Sequence, residues 1–159
     1  MEYQENFETM WLLGIWGADH GTLAKGVVAL VNTKPEILAT FRRFSLKNFD
    51  IRRSKFRQRT LRGYGISTEI YFTRLPVRRF LESLLSKREK ISKNKMLPYF
   101  AGRFDGDGNA DAKMSTEKKI IRLRILQPRS FSAKVLPYVV HKNKRQQLKL
   151  IIRKRSYGS

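Results

Sequence analysis

Two aspartates close two short apolar stretches that are unusually rich in small residues. Asp19 ends "LLGIWGAD" and Asp107 ends "FAGRFDGD". Set over one another, the stretches match Gly14 with Gly102, Ala18 with Gly106 and Asp19 with Asp107. Glycine inside a helix costs about 1 kcal/mol relative to alanine, a cost that is offset where two helix backbones must approach closely. A pair of such helices delivers one carboxylate each to a shared end. Carboxylates side by side repel unless a cation lies between them. Oxygen donors on a strongly basic chain point to Mg2+ (or Mn2+) bridging to phosphate.

The rest of the chain is cationic. Its 159 residues carry 34 Lys+Arg against 13 Asp+Glu, a formal net charge of +21 and a pI near 10.8. The commonest compensation for such an excess is a polyanion, so nucleic acid is the expected partner. No cysteine is present, which removes disulfides, thiolate zinc sites and cysteine nucleophiles. With only His20 and His141, a histidine-based metal site or triad has too few members. The acidic start "MEYQENFETM" lacks the cationic region of a signal peptide, and no apolar run approaches a membrane span. A reducing, nucleic-acid-containing compartment is expected, cytoplasmic or organellar, with no membrane contact and no secretion.

Both acidic stretches resemble the LAGLIDADG motif of homing endonucleases, "FAGRFDGDG" more closely than "LLGIWGADH". Two copies in one chain are similar to the single-chain members, whose motif helices form the interface between pseudo-symmetric halves. The resemblance implies metal binding by Asp19 and Asp107, magnesium-dependent double-strand cleavage of a long near-palindromic DNA site, and a monomer. It also implies a polar residue and a lysine after the second strand, which "VNTKPE" supplies as Thr33 and Lys34. In the second half "LQPRS" offers Gln127 and Pro128, so that lysine is absent, and His20 replaces the closing glycine of the first motif. Catalytic roles therefore fall to Asp19, Asp107, Lys34 and Gln127. Lys34 equally fits a solvated charge beside a helix N-terminus.

Basic residues alternate as strand faces do. In "IRRSKFRQRT", Arg53, Lys55, Arg57 and Arg59 fall on one side. Lys113, then Arg122 and Arg124, then Gln147, Lys149 and Arg153 oppose apolar residues in three further candidate strands at 109–115, 119–126 and 145–154. A face of Arg, Lys, Gln and Asn with almost no Glu suits the major groove, where Arg pairs with guanine and Gln with adenine.

The elements that must position these groups follow from periodicity. Helices are expected at 7–19, with Asn6 or Thr9 near the start, at 35–47 and over Val77–Leu85. A strand is expected at 25–31, and a hairpin over 51–75 with Gly63 and Gly65 at its turn. The polar connector "SKREKISKNK" separates a first half, 1–95, from a second, 96–159, where a helix over 97–107 precedes the strands named above and one more at 134–141. The second half is shortened, with only "PRSFSA" in place of a full helix. The expected class is α+β: two pseudo-symmetric αββαββα-type halves with antiparallel β-saddles about a central two-helix LAGLIDADG interface. A calcium loop over 105–117 fails twice, at Ala110 and Thr116. Two other readings stay open: a non-cleaving DNA- or RNA-binding protein on the same scaffold, such as a maturase or regulator, and a basic ribosomal-type protein that leaves the paired acids without a purpose.

Overall fold

The computed structural model describes residues 3–19, 21, 24–62, 65–87, 90–106 and 128–153. Asn6 starts the first helix: its side-chain oxygen accepts the N–H groups of Glu8 and Thr9, each at 3.0 Å. Thr9 returns the bond by accepting the Asn6 N–H at 2.9 Å, a reciprocal cap. Helix α1, Phe7–Asp19, is buried from Glu8 through Trp16, so it forms the axis of the core rather than one flank of it.

Strand β1, Val27–Asn32, follows α1, and helix α2, Pro35–Asn48, opens on a proline whose missing N–H costs nothing at that position. Strands β2, Arg57–Arg62, and β3, Ile66–Thr73, form the expected hairpin, with Gly65 at its bend. Helix α3, Leu75–Ser86, buries Val77, Leu81 and Leu84. The three strands make one antiparallel sheet in the order β1-β3-β2, with Leu30 opposite Ile70 and Arg59 opposite Glu69. Its inner face carries Val28, Leu30, Ile70 and Phe72, all buried against the helices. The molecule is therefore α+β.

Helix α4, Lys93–Gly106, begins inside the basic connector, so the division at 95/96 falls within its first turn. Helix α5, Pro128–Val135, opens on a proline as α2 does; a 3-10 turn at Leu136–Tyr138 leads to helix α6, Lys142–Arg153. The strands expected at 134–141 and 145–154 are thus turn and helix. Over 142–153, alternation places Leu148, Leu150 and Ile152 on one face, but Leu148 is buried while Leu150 is 60% exposed. The helical period wins because Leu148 and Ile151 pack on the core from one side, and Lys, Arg, Gln and Leu favour helix. The expected strands at 109–115 and 119–126 lie outside the described residues. No helix among the described residues is long and apolar enough to cross a membrane.

Candidate metal and nucleic-acid site

The crossing of α1 and α4 sets the site. A Cβ on Gly14 would lie 2.1 Å from the Tyr99 carbonyl oxygen and 2.9 Å from the Arg103 nitrogen. A Cβ on Gly102 would lie 2.2 Å from the Trp11 carbonyl oxygen and 2.8 Å from the Ile15 nitrogen. Tyr99 and Arg103 are the aligned counterparts of Trp11 and Ile15, so each helix presents the same atoms to the other's glycine. The contact is reciprocal and the helices run parallel. One turn on, a Cβ on Gly106 would meet the Ala18 Cβ at 2.6 Å and the Asp19 Oδ2 at 3.2 Å. The Asp19 carboxylate therefore sits against the last described residue of α4, immediately before Asp107, which itself lies outside the described residues.

Both helix ends concentrate negative charge. Carbonyls at a helix C-terminus carry about half an elementary charge in aggregate, and Asp19 adds a full one. Cations answer this on each side. The Arg103 guanidinium donates to the Gly17 carbonyl at 2.7 Å. The Lys144 ammonium donates to the carbonyls of Asp105 and Gly106 at 2.8 and 2.9 Å, and to that of Phe104. What converges here is oxygen: a carboxylate and carbonyls, the hard donors that Mg2+ or Mn2+ takes. The described residues contain no cluster of three or more His, Cys, Asp or Glu that could hold a metal ion.

Asn32, which no motif in the sequence singles out, ties the rest together. Its Nδ2 donates to Asp19 Oδ2 at 2.8 Å, and its Oδ1 accepts the Lys34 backbone N–H at 2.9 Å. One amide thereby fixes both the carboxylate and the start of α2, where Lys34 and Thr33 are exposed. Thr33, the polar residue expected after the strand, is exposed, and the contact to Asp19 comes from Asn32 beside it. The signal was a polar residue ending the apolar run "VVALV".

Asp105 is the member of the acidic cluster that falls within the described residues. It is 1% exposed. Its carboxylate accepts from Trp11 Nε1 at 2.8 Å, from the Val140 N–H at 2.8 Å and from the His141 N–H at 3.0 Å. Burial pushes its carboxyl above the ordinary carboxylate value, against the pull of the Val140 and His141 N–H groups, the indole and the Lys144 ammonium. Asp105 is the clasp holding α1, α4 and the segment before α6. Asp105→Ala would strand two buried donors and a half-buried one, and a loss of about 3 kcal/mol is expected in urea unfolding. A change within about 0.5 kcal/mol, the usual range for a surface substitution, would contradict that role.

Two of the four cations expected on one face of 51–60 do share a face of the sheet. Arg57 and Arg59 lie exposed on one side of β2. Arg53 and Lys55 do not join them, because Arg53–Lys55 is a 3-10 turn that feeds Phe56 into the core, 5.1 Å from the Phe72 ring. Nor is this face free of acid: Glu69, 1% exposed, sits on it and pairs with Arg59. Gly21 passes close by, where a Cβ would meet Glu69 Oε1 at 2.3 Å and the Ala29 Cβ at 3.1 Å. Gln147, Lys149 and Arg153 stand on α6 and form no strand with one another. Lys113, Arg122, Arg124 and Gln127 lie outside the described residues, as does His20. Compared with protein-family models and with curated proteins, the sequence gives no match.

Proposed function

We propose that the chain is a LAGLIDADG-type endonuclease that makes metal-dependent double-strand breaks in DNA, with α1 and α4 as its paired motif helices. One observation carries this reading. Two aligned glycines each admit the other helix's backbone, and that contact sets the Asp19 carboxylate against the residue preceding Asp107. Asp19 and Asp107 hold Mg2+ or Mn2+, Asn32 orients the Asp19 carboxylate, and Lys34 supplies positive charge toward the scissile phosphate. A divalent ion held there would supply a water of lowered pKa and positive charge for the leaving oxygen. Arg57 and Arg59 on the sheet hold the duplex by phosphate and base-edge contacts. Thr33 and Gln127 order water near the ion.

The second half favours a second reading specifically. Two helices and a turn fill 128–153, leaving no counterpart there to the β2–β3 hairpin, and the aligned lysine is missing. A chain so built fits a non-cleaving binder of DNA or intron RNA. Incubating the protein with a randomised duplex library and Mg2+ separates the two. Double-strand breaks with short overhangs, abolished by EDTA, are the expected result. Retention of duplex without any breaks, indifferent to metal, would replace the nuclease by the binder.

A further inference from the structure

Helix α6 carries no acidic residue over Lys142–Arg153. Lys142, Gln146, Lys149 and Arg153 are all exposed, and they recur at intervals of four, three and four. At 3.6 residues per turn that spacing stacks them in one line along the helix. The opposite side is occupied. Leu148 is buried and Ile151 packs on the core. Lys144 grips the end of α4, and Arg145 donates to the Leu136 and Val139 carbonyls at 3.0 and 2.7 Å. The helix is thus pinned along one edge, with a polar, cationic ridge along the other. Among the described residues no carboxylate forms an ion pair with Lys142, Lys149 or Arg153.

We infer that this ridge is a second nucleic-acid surface, one that follows the phosphates of a duplex strand with a helix where the first half of the chain uses a sheet. The ridge runs about 16 Å at 1.5 Å per residue. One strand of B-DNA advances about 3.4 Å along the axis per phosphate, so the ridge spans about five phosphates. Its three cations lie seven and four residues apart and pair with no carboxylate among the described residues, while Gln146 adds a hydrogen-bond donor among them. The position suits this use, since Lys144 ties α6 to the helix end against which Asp19 lies. A membrane is the poorer partner. The apolar side of α6 is spent on the protein's own core, which leaves Leu150 as its one strongly exposed apolar residue.

The inference rests on the reading of the chain as a DNA-binding nuclease, and its test separates the two. Binding to a labelled random-sequence duplex is measured in EDTA, so that no cleavage intervenes, across a series of salt concentrations. The triple variant Lys142→Gln, Lys149→Gln and Arg153→Gln is compared with Arg79→Gln, Lys87→Gln and Lys90→Gln, which removes the same charge from exposed positions elsewhere. Each lost phosphate contact lowers the slope of log K against log salt by about 0.9, so the α6 triple should lose about 2.7 and the control triple less than about 1. The exchange Lys142→Arg, Lys149→Arg and Arg153→Lys should keep the wild-type slope, which guards against a folding artefact. Equal slopes for the two Gln triples, in a protein that binds and cuts DNA, would overturn the ridge alone. Weakened binding to anionic phosphatidylserine vesicles with duplex binding unchanged would overturn it in favour of a lipid surface. A wild-type protein that binds no duplex would overturn both this inference and the nuclease.

Discussion

Asp19→Asn should reduce DNA cleavage by on the order of 10^3 while leaving duplex affinity within about threefold. The two side chains have nearly the same shape, so the change removes one negative charge and little else. The Asn32 amide answers part of that charge at 2.8 Å, and the substituted asparagine could still accept that bond. The charge stands at the C-terminus of α1 against the end of α4, where the carbonyls of both helices already point negative charge. A carboxylate in such a position costs about 0.3–1 kcal/mol, relieved in part by Arg103 on the Gly17 carbonyl. The metal-free variant should accordingly be as stable as the wild type or slightly more so, and magnesium should raise the wild type's melting temperature but not the variant's. This combination, activity lost with stability retained, marks a residue kept for its ligand. A structural carboxylate such as Asp105 would lose stability instead. Cleavage at the wild-type rate by Asp19→Asn would remove Asp19 from the mechanism, and a large loss of stability without metal would reassign it to the fold.

Outside 51–56, the first ninety residues are legible because their local signals agree. A capping Asn, a proline opening each of two helices, apolar residues at helical spacing and a glycine-marked turn all point to the elements that form, from Phe7–Asp19 through Leu75–Ser86. The glycine alignment carried the most information, since small residues at matched positions foretold a backbone contact that no propensity scale contains. Failures came where short segments were read by alternation alone. In 145–154 the period-two pattern survives on paper, but Lys144 and Arg145 needed carbonyls to bind, and only a helix turns both toward the end of α4 and the 136–139 turn. In 51–60 the aromatic ring of Phe56 overrode the pattern, since burying it required a turn at Arg53–Lys55 and ended the strand at Arg57. Glu69 escaped notice for a related reason. Its neighbours in "STEIYF" suggest an ordinary mixed strand, and only the register opposite Arg59 shows that it neutralises a cation of the expected DNA face. Within the acidic cluster, composition could not separate Asp105 from Asp107. The distinction depends on Trp11 and on the Val140 and His141 N–H groups, which lie far away in sequence.

The glycines of the crossing permit the sharpest test of the architecture, because two opposing effects of one methyl group can be weighed. In an ordinary helix Gly→Ala gains about 1 kcal/mol. At Gly14 the new Cβ would lie 2.1 Å from a backbone oxygen of α4, and at Gly102 2.2 Å from one of α1. Neither atom belongs to a side chain that can rotate away, so the helices themselves must separate. Separation loosens packing along the whole axis of the core, and a net loss of about 3–5 kcal/mol is expected for either Ala variant. Gly65→Ala is the control. Nothing lies within 4 Å of a Cβ there and its φ is not positive, so its effect should stay within about 0.5 kcal/mol. The double variant Gly14→Ala/Gly102→Ala should cost less than the two losses added together, because one separation of the helices accommodates both methyls. Urea unfolding of the four proteins decides the matter. Any activity that survives at Gly14 or Gly102 should drop by roughly 10^2, since displacing Asp19 from the end of α4 by about 1 Å is enough to misplace a reacting group. If Gly14→Ala unfolds at the same urea concentration as Gly65→Ala, the two backbones do not meet, and the shared carboxylate site loses the contact that creates it.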